Sequence, residues 1–148
     1  MPHLIQSTSF SFANDVLKLE LSPLGFSRMP ESEMDLKNAL KSVFKALSVL
    51  HVKGWVHRDI RWENILRDSG GKWFLIDLES ANWKDKEVGE FRSKYWTSNT
   101  LDKDLYTEKS DIEVIMKGFE KQTHLTFILS LHPRCVEAYS NTAHVHFR

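Results

Sequence analysis

Long apolar runs are missing from this chain of 148 residues. The most apolar late stretch, "LTFILSL" (Leu125 to Leu131), is far shorter than the roughly 20 residues a membrane-spanning helix needs. The first residues, "MPHLIQSTSFSFAND", carry neither a basic stretch nor a continuous apolar segment, so no secretory signal is expected. An excess of charge is missing too, because 20 Lys and Arg balance 20 Asp and Glu. No net field steers the chain toward nucleic acid or an anionic membrane surface. Cysteine is reduced to Cys135, which excludes an internal disulfide and a cysteine zinc site and makes a reducing compartment the default. Repeats and low-complexity segments are absent as well. These absences predict a soluble, intracellular protein, cytoplasmic or nuclear, that engages neither nucleic acid nor membrane.

What is present is the mixture of one globular core, 41% hydrophobic and 27% charged. "VLKLELSPLGF" (Val16 to Phe26) alternates apolar and polar residues as a strand does, until Ser22, Pro23 and Gly25 stop it. Leu36, Leu40, Val43, Phe44, Leu47 and Leu50 recur at helical spacing, with Lys37, Lys41 and Lys45 on the other face. Ser32 followed by Asp35 caps this helix, and Gly54 ends it. Between Trp55 and Glu79 the helical period vanishes. "VH", "NILR" and "KWFLIDLE" read as short strands, the last two joined by the hairpin turn "DSGG" (Asp68 to Gly71). The polar, aromatic-studded stretch from Ser80 to Tyr106 reads as a long loop. A second helix is expected at "SDIEVIMKGFEK", with Ser110 and Glu113 as a capping box and Ile112, Ile115, Met116 and Phe119 as its apolar stripe.

The chemistry concentrates in "WVHRDIRWENIL" (Trp55 to Leu66), which contains H-R-D-x-x-x-x-N as His57, Arg58, Asp59 and Asn64. This spacing suits phosphoryl transfer, since one loop can set an aspartate beside an incoming hydroxyl and return an asparagine oxygen to a metal on the phosphates. Arg61, between them, can offset charge on the transferred group. Asp77, at the end of "WFLI", can bind Mg²⁺ together with Asn64.

On these residues the chain resembles the protein kinase family. "LHVKGWVHRDIRWENIL" is similar to the end of the large helix, the catalytic loop and the following strand of a kinase C-lobe, and "FLIDLE" to the segment with the metal-binding aspartate. "YTEKSDIEVI" resembles the start of the central C-lobe helix, and "KLELSPLGF" the last N-lobe strand and hinge. The "LSPLG" hinge and "IDLE" variant are similar to the divergent kinases among Crinkler-type effectors of fungi and oomycetes.

The resemblance implies an α+β, mainly helical fold: a kinase-like C-terminal lobe with a short β-hairpin and a partial hinge. It divides the chain into an N-terminal segment (1–15), a partial kinase domain (16–122) and a divergent tail (123–148). It implies transfer of the ATP γ-phosphoryl to a Ser/Thr hydroxyl of a protein substrate, with ATP and Mg²⁺ as cofactors. Asp59 would be the base, Asn64 and Asp77 the Mg²⁺ ligands, and Arg61 the phosphate contact, where kinases more often carry Lys. The backbone at Glu20, Leu21 and Ser22 would bind the adenine edge and Leu66 would pack under the ring. His57 would be structural, and Asp111 would orient the catalytic-loop backbone. Arg58 would receive a phosphate from the loop, with Ser93, Tyr95, Thr97 and Ser98 as acceptors.

Departures accompany the match. Asp77-Leu78-Glu79 stands where Asp-Phe-Gly is usual, and "YWTSNTL" replaces Ala-Pro-Glu. Nothing before Val16 supplies a Gly-rich loop, a strand lysine or a helix glutamate. A catalytically defective pseudokinase or truncated kinase, acting as a nucleotide-binding or interaction scaffold, is therefore the competing expectation, with a partner or a second copy covering the absent N-lobe. Three further readings are weaker. Arg61-Trp62 as a nucleic-acid contact has no basic field behind it. Asp59, Asp77 and Glu79 as a two-metal cluster leaves His57, Arg58 and Asn64 without a role. A small-molecule kinase usually has a smaller residue where Arg58 stands. His144 and His146 form an H-x-H pair without companion ligands.

Overall fold

The computed structural model describes residues 3–88, 93–94, 96–97 and 99–123, with the side chains of 118–123 left out. The tail, including His144 and His146, lies outside the described residues, as do Tyr95, Ser98 and the side chain of Phe119. In chain order the elements are β1 (Gln6–Ala13), β2 (Val16–Ser22), β3 (Phe26–Ser27), α1 (Glu33–Val52), β4 (Trp55–Val56), a 3₁₀ turn (Trp62–Asn64), β5 (Ile65–Arg67), β6 (Trp73–Leu75), β7 (Asn82–Trp83) and α2 (Glu108–Thr123).

Two α-helices stand against seven strands among the described residues, which overturns the expectation of a mainly helical fold. The described residues are α+β, with helix and strand in similar shares. Three strands escaped the sequence reading, among them the two-residue β3 beyond the Ser22 to Gly25 stop. "QSTSFSFA" forms β1, whose hydroxyl-rich alternation carries little apolar signal, and Asn82–Trp83 forms β7 inside the stretch read as loop. The strands make three small sheets: the antiparallel hairpin β1–β2, the sheet β3–β5–β6 and the pair β4–β7. Residues ahead of β1 also join the body. Leu4 bridges Leu75, the Ile5 N–H donates to the Leu75 carbonyl at 2.9 Å, and the Leu75 N–H donates to His3 at 2.8 Å.

Helix α1 forms where its apolar stripe and cap predict. The Ser32 Oγ accepts from the Asp35 N–H at 3.1 Å, and Leu36, Leu40, Val43, Leu47 and Leu50 are buried on one face. The helix stops because Gly54 adopts φ +78°, a conformation costly for side-chain-bearing residues. That turn feeds the chain into β4. Gly71, at φ +84°, completes the Asp68 to Gly71 turn, and β5 and β6 pair as Ile65↔Leu75, Leu66↔Phe74 and Arg67↔Trp73. Helix α2 starts before the expected cap. The Thr107 N–H donates to the Ser110 Oγ at 2.9 Å, so Ser110 sits in the first turn, while Glu113 instead accepts from the Thr97 Oγ1 at 3.2 Å.

One core unites these parts: the apolar face of α1, Ile60, Trp62, Ile65, Trp73, Leu75, Leu4 and the face of α2 with Ile112, Ile115 and Met116. A satellite cluster of Val56, Val88 and Tyr106 lies under Trp96 and Leu101. The stretch from His57 to Asn64 is held to α2 through Asp111, and its Ile60 and Trp62 join the core formed with α1. No helix among the described residues is long and apolar enough to cross a membrane.

Candidate active site

A single buried carboxylate organises the loop. Asp111, at the start of α2, is fully buried. It accepts from the His57 N–H at 2.9 Å, the Arg58 N–H at 3.0 Å, His51 Nε2 at 2.8 Å and the Tyr106 hydroxyl at 2.9 Å. Burial by itself would raise its pKa, but the hydrogen bond and charge of His51, with His57, carry it below the usual carboxylate value. Tyr106 responds in the opposite direction, its phenol pushed well above 10 by burial and by the Asp111 charge. Two backbone donors on one carboxylate impose a sharp bend, and Arg58 takes φ +74° there.

Past the bend, His57 is buried and serves as a spacer. Its Nε2–H donates to the Ile76 carbonyl at 2.9 Å, while Nδ1 accepts from the Asp59 N–H at 3.3 Å. The imidazole is thereby held neutral, its pKa lowered chiefly by burial. The Arg58 guanidinium is also buried and donates to the Val88 carbonyl at 2.9 Å, and the Arg58 carbonyl accepts from the Trp96 indole at 3.0 Å. Trp96 in turn lies against Tyr106, ring centroids 5.0 Å apart. A closed ring of contacts results: Arg58, Trp96, Tyr106, Asp111 and back to Arg58.

Asp59 and Asn64 meet. The Asn64 Nδ2 donates to the Asp59 carbonyl at 2.8 Å and to its Oδ2 at 3.1 Å. Arg61 Nε forms an ion pair with the same oxygen at 3.1 Å, off hydrogen-bond alignment. The other carboxylate oxygen, Oδ1, accepts from the Ser93 hydroxyl at 3.2 Å. Asp77 is delivered by β6. The Ile76 N–H donates to the Asn64 carbonyl at 2.9 Å, so the peptide just ahead of Asp77 is clamped to both His57 and Asn64. Asp77 itself takes φ +64° and accepts a long 3.4 Å bond from the Glu79 N–H.

The expected nucleotide residues divide between two elements. Leu66 is half-buried in β5, opposite Ser27 and Phe74. Glu20, Leu21 and Ser22 lie in exposed β2, paired with Ser9, Ser7 and Gln6. Gly25 connects them, because a Cβ there would stand 2.9 Å from the Leu66 Cβ and 2.5 Å from the Phe74 ring. The segment after β2 thus descends directly onto Leu66.

Residues 6–112 match the protein kinase domain. The chain belongs to the protein kinase family. The chain is 46% identical over 69 residues, 46% of its length, to Crinkler effector protein 8 of Phytophthora infestans, covering 12% of that protein. It is 37% identical over 60 residues, 40% of its length, to serine/threonine-protein kinase F of Synechocystis sp., covering 12%. It is also 33% identical over 119 residues, 66% of its length, to a protein kinase and PP2C-like domain-containing protein of Arabidopsis thaliana, covering 18%. The kinase chain thus spans between 12% and 18% of the length of these curated relatives. The expected kinship with both Crinkler-type proteins and serine/threonine kinases stands.

The kinase motif also explains which alternatives fail. Trp62 is a core residue packed edge-on to Trp73, so Arg61-Trp62 presents no aromatic surface to a nucleic acid. Asp59, Asp77 and Glu79 do not form a metal-holding carboxylate group among the described residues. Three site residues were missed by sequence reasoning: His51, Trp96 and Tyr106. His51 had a signal, since it follows Leu47 by four positions and so puts a polar group on the buried stripe of α1. Trp96 and Tyr106 had none, lying in a stretch without period.

Proposed function

We propose that this kinase-family chain transfers the ATP γ-phosphoryl to a serine or threonine hydroxyl of a protein, with Mg²⁺. The observation that carries the reading is the double role of Asn64, whose side-chain NH₂ donates to Asp59 while its backbone carbonyl accepts from the N–H of Ile76, the residue before Asp77. The donor set suits the ion. Among the described residues the Asn64 Oδ1 meets no donor and Asp77 keeps one carboxylate oxygen without one, and both are the hard oxygens Mg²⁺ prefers. Asn64 and Asp77 would hold it, and the bound Mg²⁺-ATP supplies an electrophilic phosphoryl group.

The chain's own residues do the remainder. Asp59 Oδ1 accepts the proton of the incoming hydroxyl, while Asn64 and Arg61 fix Oδ2 so that the carboxylate cannot rotate. Arg61 would also turn its guanidinium to the phosphoryl oxygens. Leu66 would floor the adenine and the backbone at Glu20 to Ser22 would read its edge. Residues 16–122 would make up the partial kinase unit.

A second reading, a nucleotide-binding scaffold without turnover, has support from Ser93. Its hydroxyl occupies the Asp59 oxygen that a substrate hydroxyl needs. One experiment separates the two. Thermal unfolding is followed with Mg²⁺-ATP for the chain and for Asp77→Ala, together with phosphate transfer to a serine/threonine substrate for the chain and for Asp59→Asn. A ligand at 100 times its Kd adds about 2.7 kcal/mol. Transferase action predicts a Mg²⁺-dependent shift lost in Asp77→Ala, and transfer reduced about 10²- to 10⁴-fold in Asp59→Asn. A shift without transfer selects the scaffold, and no shift rejects both.

A further inference from the structure

Helix α2 grips the catalytic loop twice. Asp111 holds the bend directly, through the His57 and Arg58 amides. The second grip is indirect and starts two positions further along the helix. Glu113, whose side chain is 15% exposed, accepts from the Thr97 hydroxyl at 3.2 Å. Residues two apart on a helix stand about 200° apart around its axis, so Glu113 faces away from what Asp111 holds. It takes hold of the long loop instead.

Thr97 is fixed from within the loop as well. Its N–H donates to the Thr100 hydroxyl at 2.8 Å, and the buried Thr100 returns its own N–H to the Thr97 carbonyl at 3.1 Å. The residue ahead of this turn is Trp96, whose indole donates to the Arg58 carbonyl at 3.0 Å. That carbonyl belongs to the same peptide unit as the Asp59 N–H, which donates to His57 Nδ1 at 3.3 Å. The Arg58–Asp59 peptide is therefore held at both poles, and the plane cannot turn without giving up a hydrogen bond. Its orientation sets where the Asp59 side chain leaves the chain. Arg58 at φ +74° is in a conformation that persists only where its surroundings over-determine it. Packing of Trp96 on Tyr106 would be served by any aromatic ring, whereas the contact to Arg58 needs the indole N–H.

We infer that Trp96 and Glu113 are positioning residues for Asp59: Glu113 anchors Thr97 on α2, and Trp96 beside it pins the peptide that leads into the aspartate. The stretch that stands in place of Ala-Pro-Glu thus carries an anchor of its own. The catalytic consequence rests on the reading of Asp59 as the base; the clasp itself does not.

The test follows two quantities in the full chain, the exchange rate of the Asp59 amide by NMR and phosphate transfer from Mg²⁺-ATP to dephosphorylated casein. Trp96→Phe keeps a ring on Tyr106 and removes the donor. Glu113→Ala removes the far anchor, Glu113→Gln keeps an acceptor for Thr97, and Lys117→Met removes only the 2.6 Å ion pair that Lys117 makes with Glu113. In Trp96→Phe and Glu113→Ala the Asp59 amide is expected to exchange about tenfold faster relative to the α1 amides, the scale of one hydrogen bond. Turnover should fall by about the same factor with KM for ATP unchanged, while Glu113→Gln and Lys117→Met stay near the parent in both quantities. Should Trp96→Phe not fold, Glu113→Ala against Glu113→Gln decides. An Asp59 amide that the folded variants leave unchanged overturns the inference, as do α1 amides that accelerate equally, or Lys117→Met matching Glu113→Ala. A parent chain that transfers no phosphate rejects Asp59 as a working base, and the exchange rates still decide the clasp.

Discussion

Asp111 is the residue on which the site's geometry depends, because four donors converge on a carboxylate with no access to water. Removing it leaves the His57 and Arg58 amides, His51 and the Tyr106 hydroxyl without their acceptor. Asp111→Ala is expected to lower stability by about 3–5 kcal/mol in urea unfolding. A loss below 1 kcal/mol would show that the loop bend is held by other contacts. His57 makes a second residue-scale prediction. Its folded pKa lies below the ordinary 6.5 because burial disfavours the cation, so near neutrality and below the unfolded chain binds the extra proton. Stability therefore rises with pH from the folded pKa up to about 6.5 and is lost on acidification through that window. His3, also lowered by burial though less enclosed, adds to the same slope. Asp111, lowered as well, contributes stability above its unfolded pKa that is lost only at more acidic pH. His57→Phe should flatten most of the slope below pH 6.5 in denaturation series, and an unchanged slope would refute the assignment.

At the level of elements, the junction between hinge and small sheet is the most sensitive point. Gly25 sits so close to Phe74 and Leu66 that a methyl group there would overlap a buried ring at 2.5 Å and 2.7 Å. Gly25→Ala is expected to cost about 1–3 kcal/mol by overpacking and to weaken nucleotide-dependent stabilisation beyond that, because Leu66 must shift with Phe74. Unaltered unfolding and an unaltered nucleotide shift would show that the hinge has room. Helix α1 is tied to the same sheet by Asp35, which accepts from the Trp73 indole at 3.2 Å and pairs with Arg67 at 3.5 Å. The cap residue Ser32 stands one turn away, and Ser32→Ala should cost about 1 kcal/mol in the same assay. These elements were legible in outline. The helical stripe, its cap and the Asp68 to Gly71 turn could be read from spacing. Strand β1 could not, because its serines and threonine hide the alternation, and the start of α2 moved three residues because Thr107, rather than Ser110, holds the cap position.

On the scale of the whole molecule, protection is uneven. Helix α1, β5, β6 and the first turns of α2 share one core, while β1 and β2 contribute nothing to it. Hydrogen exchange should accordingly find the slowest amides in α1 and β6. The β1–β2 amides should exchange fastest, since both strands are exposed and outside that core. Addition of Mg²⁺-ATP should slow the segment from Asp59 to Asn64 and the peptide of Asp77, leaving α1 unchanged. Uniform protection across hairpin and core would contradict this division.

The sequence by itself determined the family: His57, Arg58, Asp59, Asn64 and Asp77 are local in the chain, and a loop, a hairpin and a return strand bring them together whatever surrounds them. Tertiary structure decided how those residues are held. His51, Trp96, Tyr106 and Asp111 meet only because α1, the long loop and α2 fold onto one another, and separations of 38 and 60 positions leave no local pattern. It also decided the balance of helix and strand, since strand pairing is settled by partners distant in sequence.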